Sequence, residues 1–274
     1  MTSPIPEKFY GVHHRNEVHS AIDRAAEELG TLGYTVIDSG LSDDELDDLS
    51  LRFGAARAEA EESLGGRERL VALDEHNTLR CPLKYDRAFL ALAMNPKVRE
   101  LAERAIGPYV VLSQQNGIIN PGSKERYNQG LWHRDLPYQH VQLSRPLALN
   151  ALFCLDDFTT DNGTTFVLPA THKQENFPSE GFVARHAIQV PAQRGSFLVL
   201  DAMIYHSGGV NCTETERRGV NHVLTAPVFK PQISLPGELG EDFPQSEDER
   251  RYLGYEVETP SSIESYLRSR ESKR

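Results

Sequence analysis

From Glu17 to Gly30 the apolar residues fall at Val18, Ala21, Ile22, Ala25, Ala26 and Leu29. That three-and-four spacing predicts one buried helix face, with Gly30 as the expected stop. A β-branched run, Tyr34-Thr35-Val36-Ile37, predicts a short strand. Ser42-Asp43-Asp44-Glu45 reads as a capping box opening a second helix that turns Leu46, Leu49 and Phe53 inward. Asn95 before Pro96 predicts a third helix, a cap followed by a first-turn proline, which Gly107-Pro108 ends after about Ile106.

Beyond residue 108 the pattern changes to short β-rich runs separated by turn clusters: YVVLSQQN, LALNALFCL, TTFVLP, FVARHAIQV, SFLVLDA and GVNHVLTAPVF. Such spacing predicts a mainly β sandwich or barrel behind a helical layer. One domain over 1–274 is expected, with helices mostly in 1–108, the β core in 109–230 and a C-terminal segment in 231–274. That segment is rich in Pro, Gly and acidic residues as far as Arg250-Arg251-Tyr252-Leu253-Gly254-Tyr255. It reads as a long surface excursion with a short final helix, serving as either a lid or a structural wrap.

Composition narrows the function classes. Hydrophobic residues make up 39% and charged residues 25% of the 274, enough for a sizeable core in a single unit. Lys plus Arg number 29 against 40 Asp plus Glu, a net charge of −11, which argues against nucleic acid as a partner. Cys81, Cys154 and Cys212 are odd in number and lack CxxC spacing, as expected of reduced thiols in a cytoplasmic protein. The start, MTSPIPEKFYGVHHRN, holds no apolar signal core, and no run approaches the ~18 apolar residues of a membrane helix, so no membrane partner is expected. His13 and His14, in this polar start, read as solvated.

The chemistry begins at Trp132-His133-Arg134-Asp135. On extended backbone His133 and Asp135 share a face and Arg134 takes the other. A lone His-x-Asp arises often by chance. However, the strand-like run Ser196 to Asp201 leads to a single histidine, His206, followed after Ser207 by Gly208-Gly209, 71 residues past Asp135. Folded together, two histidines and a carboxylate make the facial triad of a non-haem iron(II) site with open positions for a co-substrate and oxygen. Next come Arg217 and Arg218, opening the following strand. A 2-oxoglutarate molecule bound through its keto acid end leaves a second carboxylate that an arginine fork can hold bidentately. Strand alternation lets only one of the two face the pocket. Arg218 shares its face with Val220, His222 and Leu224, so burial logic favours it; Arg217 shares its face with Gly219, Asn221 and Val223.

These residues resemble the phytanoyl-CoA dioxygenase family over nearly the whole chain, through GYTVIDSGLSDDELDDL, WHRD, CLDDFTTDNGTTFVLPATH and HSGGVNCTETERR. The resemblance implies a double-stranded β-helix, the cupin-like jelly roll, with helices packed on one sheet. It also implies iron bound by His133, Asp135 and His206, and 2-oxoglutarate bound by Arg217, eleven residues after the distal histidine. With those come dioxygen as co-substrate and ascorbate as a useful addition in vitro. Asp135 is intact where halogenating members carry a small residue, which favours hydroxylation. Two departures stand out: Pro169-Ala170-Thr171-His172 replaces the usual PGSH, and Gly208 stands where a small hydroxyl residue is common. Ser207, Gln115 or Asn150 are the candidates to replace that hydroxyl's hydrogen bond to 2-oxoglutarate. For the substrate the candidates are Trp132, Arg134, Tyr138, His140, Asn221 and His222, with Gln115 again near them; their mixture suggests a small, polar, even anionic molecule. A non-catalytic jelly-roll binding protein and a zinc-type hydrolase are the competing classes, and neither needs the arginine.

Overall fold

The computed structural model describes residues 5, 8–122, 127–136 and 143–271. The first helix, α1 (Ala21–Leu32), starts at Ser20, whose hydroxyl accepts from the Asp23 amide. It runs past Gly30 and stops at Gly33, which takes the left-handed conformation (φ 87°) and donates to the Leu29 carbonyl. The expected stop was three residues early because Gly30 keeps helical backbone, while Gly33 is the residue that reverses the chain. Strand β1 (Tyr34–Asp38) follows, then α2 (Asp43–Ser63), whose Ser42 and Glu45 form the capping box that the sequence predicts. Its buried face is Leu46, Leu49, Phe53, Ala56 and Ala60. Next are α3 (Arg67–Ala72), β2 (Thr78–Arg80), α4 (Pro82–Tyr85) and α5 (Ala88–Ala93), and then α6 (Pro96–Ala105), capped by the Asn95 side chain.

The β region comprises β3 (Val111–Asn120), β4 (Ala148–Cys154), β5 (Phe166–Val167), then α7 (Glu180–His186), β6 (Ile188–Gln189), β7 (Ser196–Asp201), β8 (His206–Ser207) and β9 (Arg217–Thr225). The run FVARHAIQV, expected as one strand, divides: its first part is α7, started by the Ser179 hydroxyl accepting from the Phe182 amide, and only Ile188–Gln189 pair as a strand. A local cap overrides β propensity there.

All pairings among the described residues are antiparallel. Six strands form one sheet in the order β1-β7-β4-β9-β3-β2 and three form a second in the order β6-β5-β8. The helices bury one face of the large sheet, where Phe153, Phe197, Val199, Val220 and Leu224 pack against Leu49, Phe53, Phe89 and Leu101 in the main core. Its other face turns to the small sheet, with Val167, Leu198, Leu200 and Ile204 between them. This is the jelly roll that the resemblance implies. Strand β7 is buried at every position because helices cover one side and the second sheet the other.

The C-terminal segment carries α8 (Leu235–Leu239), α9 (Glu247–Tyr252) and α10 (Ile263–Glu271). It runs largely over the surface and ends in a short helix, as expected, but it is anchored. Leu235, Tyr252 and Leu253 are buried in the main core, and the Tyr252 hydroxyl donates to the Ala93 carbonyl (2.6 Å). The segment clamps the helical layer, and none of its described residues lines the cavity described below. No helix among the described residues is long and apolar enough to cross a membrane.

Candidate metal centre

His133 and His206 sit opposite each other on adjoining extended segments. The His133 amide donates to the His206 carbonyl (2.9 Å), the His206 amide returns the bond (3.1 Å), and the Asp135 amide donates to the Ala202 carbonyl (3.0 Å). This short ladder, continued by β8 pairing with β5, fixes which side chains face inward. Asp135 Oδ1 lies 3.7 Å from His206 Nε2 and 3.9 Å from His133 Nε2, and the three ligand atoms fall within 4.8 Å of one another. These separations are too long for direct hydrogen bonds and suit donors converging on one ion.

The donor set fits a metal in its chemistry as well. His133 Nδ1 donates to the Leu131 carbonyl (2.7 Å) and His206 Nδ1 to the Ile204 carbonyl (3.1 Å), which fixes both tautomers with the Nε2 lone pairs turned to the centre. Burial holds the His206 imidazole below its ordinary pKa, against the pull of Asp135, so the ring stays neutral as a ligand must. Asn150 Nδ2 donates to Asp135 Oδ2 (2.6 Å), leaving Oδ1 for the ion. Asn150→Leu is therefore expected to weaken metal affinity about 10- to 100-fold with the fold retained. Metal titration of the folded variant measures this, and an unchanged affinity would show that Asp135 needs no anchor.

The cavity at the triad lies between the two sheets. The large sheet contributes Ile118, Asn150, Leu152, Leu200, Arg217 and Asn221, and the small-sheet side contributes Thr165, His206 and Gly208. Strand parity is decisive on β9. Arg217 and Asn221 line the cavity and Gly219 shares their side of the strand, whereas Val220, His222 and Leu224 face the helices. Arg218 is on the helical side, where Asp156 accepts from its Nη2 (2.7 Å) and Nε (3.0 Å) and Ser50 accepts from Nη2. The apolar face is the helix-packed core, so burial logic favours the arginine that does not line the cavity. Arg217 is only 2% exposed. Its guanidinium stacks on the Phe158 ring (3.9 Å) and Nη2 donates to the Gly163 carbonyl (3.2 Å), while Nε and Nη1 are buried and make no hydrogen bond among the described residues. Two such unmade bonds are costly unless a ligand completes them.

Several other expected site residues are placed elsewhere. Gln115 lies under the helices, accepting from the Leu83 amide (3.0 Å) and donating to the Phe89 carbonyl (2.7 Å), because its strand position has the parity of His222. His222 itself is buried on that face, bonded through Nδ1 to the Ala151 carbonyl (2.9 Å), its pKa pushed down to about 4 by burial. Arg134 points away from its ligand neighbours, as alternation requires, and donates to the carbonyls of Met203, Thr171, Gln174 and Glu175. Trp132 packs on Phe166 and Phe177, ring centroids 6.3 and 6.1 Å away, and does not line the cavity. The Ser207 hydroxyl donates to the Gly208 carbonyl (3.0 Å). Tyr138 and His140 lie outside the described residues. Asn221 does line the cavity, its Oδ1 buried without a partner among the described residues.

Sequence reasoning missed Tyr127 and Gln129, which also line the cavity. They sit in a turn with no periodicity. The available signal was Gly208: a Cβ there would come 2.4 Å from Tyr127 Cε1.

Comparison with known proteins agrees with this geometry. The family described as phytanoyl-CoA dioxygenase (PhyH) matches over residues 31–219, a span containing the triad and Arg217. An uncharacterized protein of Mycobacterium tuberculosis is 29% identical over 260 residues, covering 91% of this chain and 93% of the relative. Dioxygenase af480 of Aspergillus fumigatus is 28% identical over 163 residues, 55% of this chain and 50% of the relative. Among solved structures, EctD from S. alaskensis with 2-oxoglutarate and 5-hydroxyectoine shares the fold, with a TM-score of 0.62 and 22% identity over 86% of this chain and 85% of that one.

Proposed function

This chain belongs to the phytanoyl-CoA dioxygenase family and is an iron(II)/2-oxoglutarate-dependent oxygenase, and from that premise we propose that it hydroxylates a small polar metabolite, releasing succinate and carbon dioxide. In this reading His133, Asp135 and His206 hold the iron, Asn150 orients the Asp135 carboxylate, and Arg217 holds the distal carboxylate of 2-oxoglutarate. The observation that carries it is Arg217, a buried guanidinium with two unused donors in the same cavity as the triad. A hydrolase or a simple metal-binding jelly roll has no use for such a group. When bound, iron and 2-oxoglutarate supply the oxidising chemistry. The chain's part is to bind, orient and exclude water, which the two sheets do by closing over the triad.

The substrate reading rests on what remains of the cavity wall. Arg134 and His222 are turned away, which removes the main argument for an anionic substrate. Ile118, Leu152 and Leu200 form an apolar wall beside Gln129, Thr165 and Asn221. The unpartnered Asn221 Oδ1 calls for a donor, so a small molecule carrying a hydroxyl or N–H group fits best.

Reconstituted with iron(II), ascorbate and 2-oxoglutarate, the protein is expected to consume oxygen and form succinate, slowly without substrate and faster with it. Zinc is expected to support none of this. Full turnover with zinc alone would overturn the oxygenase reading.

A further inference from the structure

Gly208 has no conformational reason to be glycine, since its backbone lies outside the left-handed region. Its reason is space. A Cβ would meet Tyr127 Cε1 at 2.4 Å and the Gln129 carbonyl oxygen at 3.1 Å. The turn that carries Tyr127 is pinned there: the Gly208 amide donates to the Gln129 carbonyl (2.9 Å), and Asn128 Nδ2 donates to the Asp74 carbonyl (2.9 Å). The chain thus gives up a side chain next to a metal-ligand candidate to seat a phenol ring in the cavity, beside the guanidinium whose Nε and Nη1 are unused.

We propose that Tyr127 is a second recognition residue for the distal carboxylate of 2-oxoglutarate, its hydroxyl donating alongside Arg217, and that Gly208 is glycine to admit its ring. The proposal rests on the assignment of Arg217 to that carboxylate. Burial raises the phenol's pKa, and the charge of Arg217 and a hydrogen bond with it oppose this only in part; a guanidinium can only donate, so the hydroxyl accepts from it and keeps its own proton to donate. A carboxylate drawn between a guanidinium fork and a phenol has three donors for its two oxygens. Such charge-assisted bonds are the ones whose loss is felt in binding.

The test is calorimetric titration of the iron(II)-loaded protein without oxygen, using two ligands: 2-oxoglutarate, and 2-oxopentanoate, which has the same carbon chain but no distal carboxylate. Tyr127→Phe keeps the ring and removes the hydroxyl. It is expected to weaken 2-oxoglutarate binding about tenfold or more, leaving 2-oxopentanoate binding unchanged. Gly208→Ala should displace the ring and produce the same selective loss. Wild-type 2-oxoglutarate affinity in Tyr127→Phe, or an equal loss for both ligands, overturns the proposal. Arg217→Met run in parallel separates the two levels: unchanged 2-oxoglutarate affinity in that variant removes the underlying assignment and this proposal with it.

Discussion

His206→Ala, His133→Ala and Asp135→Ala are each expected to lose iron(II) binding and all measurable succinate formation while remaining folded. Each substitution removes one of three donors whose ligand atoms converge within 4.8 Å, and the site has no fourth His, Cys, Asp or Glu among the described residues to take its place. The fold should persist because the side chains removed belong to none of the three apolar clusters. The His206 ring packs on that of His133, centroids 4.3 Å apart, so its loss loosens the site and not the core. A stability change of about 1–2 kcal/mol is the expected scale for such a change. Iron content after reconstitution, succinate yield and thermal melting of the apoproteins measure the three parts separately. Wild-type-like succinate production by any one of the variants would falsify the triad.

The second large effect separates Arg217 from Arg218. Arg217→Met should raise the 2-oxoglutarate Michaelis constant about 30-fold or more, since a largely desolvated carboxylate that loses its partner costs on the order of 2–5 kcal/mol. The same substitution should leave the ligand-free protein as stable as before, or more so. It replaces a buried charge, two of whose donors make no hydrogen bond among the described residues, with an apolar chain of similar length, and an uncompensated buried charge opposes folding. Arg218→Ala should do the opposite. Its pair with Asp156 is half-buried and remote from the cavity, so stability falls by about 1 kcal/mol and 2-oxoglutarate affinity holds. Steady-state kinetics at saturating iron with melting curves of both variants test this, and the reverse ranking would move the co-substrate to Arg218.

That contrast shows how far residue patterns reach. Between two adjacent arginines on one strand, alternation says only that they face opposite ways. Which way is inward depends on what covers each face, and here both faces of the large sheet are covered, one by helices and one by the small sheet. The more apolar face is the one under the helices, because only packing is asked of it. The face toward the small sheet carries Asn150, Arg217 and Asn221, a mixture that simple burial reasoning passes over. Gln115 and His222, expected near the site, lie on the other face for the same reason. They are paired across β3 and β9 on the helical face, where backbone groups take both ends of the Gln115 amide and His222 Nδ1.

The sequence by itself determined what depends on neighbours along the chain. Ser42 with Glu45 and Asn95 with Pro96 start their helices through bonds spanning three residues or fewer. The His133-x-Asp135 spacing puts both ligands on one face of extended backbone, with Arg134 on the other. The order and spacing of the histidines, the aspartate and Arg217 were enough to point to the family. Tertiary structure alone decided what depends on neighbours across space. It chose the inward face of β9, turned Arg134 into a clamp on four carbonyls, and anchored the C-terminal segment to the helical layer through Tyr252 and Leu253. It also brought Tyr127 from an aperiodic turn onto Gly208, 81 residues away. Contacts of that kind are set by how two sheets close over one another, and no local spacing encodes them.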